Sequence, residues 1–274
     1  MTNILAIAAK EIREGIRNRW ILATTLLLAA LALTLTFLGS VPTGTVGASP
    51  LAVTIASLSS LTIMLLPLIA LLLAYDAICG ELDRGTLLLL LSYPVARWQV
   101  VAGKYLGHLT ILAFATCIGY GSSAAALMAV SANTADWQSF AAMIGFSVLL
   151  GSSFLALGYL ISAAVVDRGA AGGLAIGIWL LFVLIYDMAL LGLLVVDQGN
   201  IVTAPVLNAL LLLNPADVYR VLNMTGLGEV AQFTGMAGVS QDVLVPPALL
   251  LVALLLWTAL PLVGAAVLLR RRQI

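Results

Sequence analysis

Asp187 is the only charged residue between Trp179 and Val196, a stretch otherwise built from apolar and aromatic side chains. A carboxylate in such a run is costly wherever its surroundings are hydrocarbon, which makes an intramembrane acid a candidate for function by default. Three roles are open to it: lining a pathway where two copies meet, pairing with a polar group of another helix, or staying protonated. Gly169, Gly173 and Gly177 recur on one face of the same segment, a pattern that permits close helix approach.

Two further stretches carry polar side chains in a suggestive order. One reads Glu81-Leu82-Asp83-Arg84-Gly85-Thr86-Leu87, then Ser92-Tyr93-Pro94-Val95-Ala96-Arg97, then Gly103-Lys104; the other reads Asn214-Pro215-Ala216-Asp217-Val218-Tyr219-Arg220. Neither supplies hydrolytic machinery. There is one histidine, His108, with no HExxH, no GxSxG and no paired carboxylates at helical spacing inside an apolar run, so an enzyme is disfavoured. Gly103-Lys104 lacks the upstream glycine and the following Ser or Thr of a phosphate-binding loop, so ATP is not expected to bind this chain in that manner.

Soft Cu(I) prefers thiolate and thioether ligands. Cys79, Cys117, Met64, Met128, Met143, Met188, Met224 and Met236 are scattered, without CxxC or MxxM, and methionine also fills gaps in apolar cores. Met64, Cys79, His108 and Met188 remain weak metal candidates, with packing the simpler reading of each.

The elements that position these residues follow from composition. With 62% hydrophobic and 9% charged residues, the chain cannot cover a soluble surface, for which about 25% charged is usual. Apolar runs at 21–38, 54–75, 105–130, 140–166, 171–196 and 243–269 predict six membrane-spanning helices. The first follows a charged segment and reads as a retained anchor. An even number of spans puts both termini on one side.

Eleven of the twelve basic residues fall on that side: Lys10, Arg13, Arg17, Arg19, Arg84, Arg97, Lys104, Arg168, Arg270, Arg271 and Arg272. Arg220 alone falls opposite, with Asp136, Asp197, Asp217, Glu229 and Asp242, so both termini are predicted to be cytoplasmic.

Within 1–20, Ile4, Ala8, Ile12, Ile16 and Trp20 line one face, opposed to Lys10, Arg13, Glu14 and Arg17, which predicts an amphipathic elbow helix along the cytoplasmic leaflet. The cytoplasmic connection 76–104 is expected to hold a short amphipathic helix around 87–91 and a second starting near Pro94. The outer connection 197–242 is expected to hold a surface helix capped by Asn214, with Pro215 in its first turn.

The order of an acidic residue, Gly85-Thr86-Leu87, Pro94, Arg97 and Gly103-Lys104 resembles the cytoplasmic loop of ABC-2 type permeases. In that family this loop is where the ATPase sits, which implies that Glu81, Asp83, Arg84, Gly85, Thr86, Pro94, Arg97 and Lys104 form the coupling element. The segments 67–78, 104–108 and 213–220 are similar to the subgroup serving nitrous oxide reductase maturation, and the likeness extends from Lys10-Glu11 and Arg17-Asn18-Arg19-Trp20 to the terminal arginines.

This resemblance implies an all-α, type V exporter-like ABC-2 fold in a bacterial inner membrane, with the whole of 1–274 as one transmembrane domain. It implies a homodimer, two NosF-like ATPase chains that bind ATP and Mg2+, a periplasmic NosD-like protein and a copper chaperone, with copper as a possible cargo. Asn214, Pro215, Asp217, Val218, Tyr219 and Arg220 are then expected to dock the periplasmic partner. An ABC-2 exporter of a lipid or drug, and an ATPase-independent channel or carrier, are the competing readings. The latter would predict more intramembrane polar residues than Asp187 supplies.

Overall fold

The computed structural model describes residues 2–17, 19–39, 50–130, 137–197, 202–226 and 245–272. Asn18, Asp136, Glu229, Met236 and Asp242 lie outside the described residues, as do the side chains of Arg19, Trp20, Met128 and Met224. All regular structure among the described residues is helical. In order these are α1 Thr2–Arg17, α2 Arg19–Gly39, α3 Pro50–Ala74, α4 Cys79–Asp83, α5 Thr86–Leu91, α6 Arg97–Val130, α7 Trp137–Ala164, α8 Arg168–Leu180, a π-helical segment Leu181–Ile185, α9 Tyr186–Asp197, α10 Ala204–Leu212, α11 Pro215–Gly226 and α12 Pro247–Arg271. Helices dominate because lipid offers no partner for backbone N–H and C=O groups, which must therefore bond within the segment.

Five helical stretches are long and apolar enough to cross a membrane: Thr54–Asp83, Arg97–Ala126, Gln138–Ala164, Arg168–Asp197 and Pro247–Arg271. In α2 the corresponding described stretch is the shorter Ala23–Leu35. Five spans, not six, are therefore established among the described residues.

The most buried span, α7, is packed by α3, α6 and α12, while α2 lies on α6 and α3. Small polar side chains join the spans where an apolar contact alone would leave hydroxyls unpaired: Thr62 to Tyr120 at 2.7 Å, Ser147 to Tyr219 at 2.9 Å, and Ser153 to Thr258 at 3.1 Å. The rod formed by α8, the π segment and α9 is the least covered span, and α9 buries none of its side chains.

Three expectations need correction. The second loop helix near Pro94 is not separate: α6 begins at Arg97 and runs unbroken into the span, so Lys104 sits inside that helix. The elbow helix has two apolar faces instead of one. Ile7, Ala8, Glu11 and Gly15 face the protein, whereas Leu5 and Ile16 face outward, because α1 packs along α6.

The third correction concerns α11, which is not a helix resting above the membrane. With α10 it dips between the spans: Trp257, about 15 Å along α12 from its start, donates to Leu212 O at 3.1 Å, and Asn214 reaches Phe182, halfway along the rod from Arg168 to Asp197. Burial of Ala216, Val218, Tyr219 and Leu222 drives this placement.

Candidate functional site

The 76–104 connection folds back on itself. At its start Ser162 Oγ of α7 accepts from Ile78 N at 2.9 Å and Cys79 N at 3.1 Å, holding the first turn of α4. Asp76 Oδ2 accepts from Arg168 Nη2 at 2.7 Å. Gly85, with φ of 71°, then reverses the chain between α4 and α5 through a left-handed conformation that disfavours any residue carrying a Cβ.

At its end, α6 presents Lys104 toward α4 and α1. Lys104 Nζ, in a residue only 2% exposed, donates to Glu11 Oε1 at 2.8 Å and contacts Glu81 Oε1 at 2.9 Å. His108, one turn further, places Nε2 3.4 Å from Glu11 Oε2, and its Nδ1 lies 2.7 Å from the Tyr159 hydroxyl. With Nε2–H directed at the carboxylate, Nδ1 accepts from Tyr159. Lys10 closes the group at the surface, 3.5 Å from Glu81 and 3.7 Å from Glu11.

Burial by itself would raise the Glu11 carboxyl, but the hydrogen bonds from His108 and Lys104, with the Lys104 charge, outweigh it and hold the group at about 2. This cluster ties elbow, loop and two spans into one ionised body.

Two glycines make the lock possible. A Cβ at Gly107 would stand 2.6 Å from Glu11 Cβ, and one at Gly103 would stand 2.8 Å from Ile7 Cβ, so only hydrogen lets α1 lie this close to α6. The Gly103-x-x-x-Gly107 spacing was the signal available in the sequence. Glu11, Tyr159, Ser162 and Asp76 carried no comparable signal, since each acquires its role from a residue between 51 and 93 positions away.

Of the residues expected in the coupling element, the structure divides exposed from internal. Asp83, Arg84, Thr86 and Pro94 are exposed, together with Leu88, Leu89, Tyr93 and Trp98. Glu81 and Lys104 are engaged in the lock and do not stand free for a partner. Arg97 is engaged too: its Nη1 donates to Leu269 O at 2.9 Å, Arg270 O at 3.1 Å and Arg272 O at 2.6 Å. It thereby satisfies carbonyls left open at the end of α12 and meets the negative end of that helix dipole.

At the other end, Asp187 takes the second of its three open roles. Its Oδ2 lies 2.5 Å from Arg220 Nη2, and Arg220 Nη1 lies 2.5 Å from Asp217 Oδ1. Asn214 Nδ2 donates to Asp217 Oδ2 and to Phe182 O, both at 2.9 Å, while its Oδ1 accepts from Ala216 N at 3.0 Å. Asn214, Pro215, Asp217, Val218 and Tyr219 are all buried, and Arg220 is half-buried. Their expected exposure is corrected accordingly, because the apolar side of α11 packs on α7 and α12 and its polar side on the rod.

The weak metal candidates are dispersed. Cys79 is buried, its Sγ 3.2 Å from Tyr75 O, His108 is engaged as above, and Met64 and Met188 are exposed on α3 and α9. Among the described residues no three His, Cys, Asp or Glu side chains group so as to hold a metal ion. Gly173 and Gly177 have no neighbour within 4 Å of an added Cβ, so among the described residues no other helix packs closely on that face.

A bundle of spans with an elbow helix locked to a folded loop at one end and a re-entrant helix pair at the other is a polytopic transporter architecture. Residues 5–274 match the profile of the ABC-2 family transporter protein, and the chain belongs to that family as an ABC transporter permease. Two relatives carry the name "Probable ABC transporter permease protein NosY". The one from Pseudomonas aeruginosa is 45% identical over 277 residues, covering 100% of both chains, and the one from Stutzerimonas stutzeri is 45% identical over 276 residues, covering 99% of both.

Proposed function

We propose that this permease works as the NosY-like subunit of an ABC transporter that serves assembly of the copper centres of nitrous oxide reductase. In this reading it has six spans in the bacterial inner membrane with both termini cytoplasmic. It forms a homodimer with two NosF-like ATPase chains, which bind ATP and Mg2+, and it meets a NosD-like protein and a copper chaperone outside. The chain itself is non-catalytic. It either passes a cargo, such as copper or a sulfur species, or transmits mechanical work.

The observation that carries this reading is the Lys104 lock. A force applied to α4 and α5 by an ATPase reaches α6 and the elbow helix together, because Lys104 bonds Glu11 and Glu81 at once. The contact surface for the ATPase is then the exposed tip of the loop, Asp83, Arg84, Leu88, Leu89 and Tyr93. Leu88 and Leu89 supply an apolar centre with charges at its rim, the usual anatomy of a protein interface.

The test is to purify the permease with its ATPase and measure retention and ATP turnover. Leu89→Asp is expected to release the ATPase, whereas Lys104→Met is expected to retain it and uncouple hydrolysis from cargo delivery or reductase maturation. Full retention and coupling in both variants would sink the reading.

A further inference from the structure

The rod from Arg168 to Asp197 contains one departure from α geometry, the π segment Leu181–Ile185, in which Tyr186 N donates to Leu181 O. Such a segment holds one more residue than the α-helix would need, and it persists where something holds it. Here the holders are on the page. Asn214 donates into the segment at Phe182 O, Tyr186 Oη donates to Leu210 O at 2.7 Å, and Asp187 is held by Arg220 at 2.5 Å. The Phe182 ring meets Trp257 edge-on at 5.4 Å between centroids and Phe154 at 6.1 Å.

The three hydrogen-bonding ties come from the last turn of α10, the α10–α11 turn and α11. Beyond them, α9 buries no side chain in this chain, so packing does not set its azimuth. Asp197 ties its far end to the connection that follows, accepting from Val202 N at 2.7 Å.

We propose that the π segment is a register switch clamped by the re-entrant turn, with Asn214 as the positioning residue. While the turn is seated, the extra residue is accommodated and α9 presents its present face. When the turn withdraws, the segment relaxes to α register. That turns α9 about its axis by roughly 100° and moves it by about 1.5 Å relative to α8. Movement of the outer connection is thereby converted into rotation of a span whose outward surface is almost wholly uncovered. The inference deepens the permease reading by naming where the α10–α11 turn acts on a membrane helix.

The experiment is a distance measurement on the full chain in lipid nanodiscs, with spin labels attached after Val196→Cys on α9 and Leu249→Cys on α12, both exposed and at the same end of the molecule. Cys117→Ser removes the exposed native thiol, and Cys79 is buried. A single-residue deletion of Leu184 removes the extra residue and with it the switch, so it supplies a background in which α8 and α9 keep their present relative register.

Rotation by about 100° on a helix roughly 10–12 Å wide displaces a side chain by about 8 Å. Asn214→Ala is therefore expected to shift the distance distribution, whereas the deletion is expected to keep the wild-type distance with or without Asn214→Ala. Where Asn214→Ala does not yield a folded sample, Tyr186→Phe with Asp187→Asn removes two other ties and is expected to give the same shift. If the loosened variant keeps the wild-type distance, or if Asn214→Ala shifts the distance equally in the deletion background, the switch is overturned. The readout needs no transport, so its failure leaves the permease reading standing, and the failure of that reading leaves the switch standing.

Discussion

Lys104 and Arg220 each sit between two acids, at opposite ends of the bundle, and yet the two sites are built for different purposes. Lys104 is sealed, joins α1, α4 and α6, and has Lys10 nearby to balance Glu11 and Glu81, with His108 beside Glu11. Arg220 is 27% exposed and joins only α9 and α11, with two carboxylates and no second base beside it among the described contacts. A compact ammonium buried among balanced charges welds elements together. A planar guanidinium bridging two acids, one on each helix, makes a joint that can open from one side. The elbow end is thus held by several charges on three helices, and the re-entrant end by one guanidinium shared between two.

The sharpest way to break that comparison is Lys104→Met. It leaves Glu11 and Glu81 with only the surface Lys10 as a cation beside them, and removing one partner from a buried ion pair costs about 3–5 kcal/mol. Thermal unfolding in detergent should report a large loss, and protease should cut α1 early. A variant as stable as wild type would show that the lock carries no load.

Gly107→Val attacks the same contact sterically, since even a Cβ there meets Glu11 at 2.6 Å. Overpacking of this kind costs about 1–3 kcal/mol. It should free α1 with Lys104 untouched, which accessibility labelling after Ala8→Cys, a position buried against the protein, would detect.

Arg220→Lys sharpens the other side. A lysine keeps the charge and cannot fork between Asp187 and Asp217, so one tie is lost at about 1 kcal/mol of net hydrogen-bond energy. Hydrogen exchange should rise in α9 and α11 and stay unchanged in α1. Equal protection in α9 would show that the outer site is as rigid as the inner one.

The smallest effect concerns pH. Glu11 has its carboxyl depressed to about 2 from 4.5, so its contribution is fully present above the unfolded value and is lost as pH falls from there through about 2. Attachment of α1 should therefore be flat between pH 8 and about 5, and it should weaken only in stronger acid. Elbow release measured by labelling at neutral pH would contradict this.

Much of the fold was legible along the chain. Long apolar runs mark spans because hydrocarbon demands them, and Gly85, Asn214 and Pro215 mark turns and a helix start because of their backbone and side-chain geometry. The elbow was legible as a helix, but its second apolar face was not, since Ile7 and Ala8 read equally well as lipid contacts until α6 is seen beside them. Asp187 stood out by its cost, and its pairing did not: Arg220 read as part of an exposed docking helix because nothing local says that α11 turns inward.

The amino-acid sequence by itself determined that this is a helical membrane protein, where its spans lie, and which polar residues are too expensive to be idle. Only the tertiary structure decided which of those residues meet. Glu11 with Lys104, Arg97 with the end of α12, and Asp187 with Arg220 are joined across long chain separations. Periodicity reports the burial of a face and is silent about what covers it, so these pairings emerge only when packed helices bring distant charges within hydrogen-bond reach in a medium that leaves them no other partner.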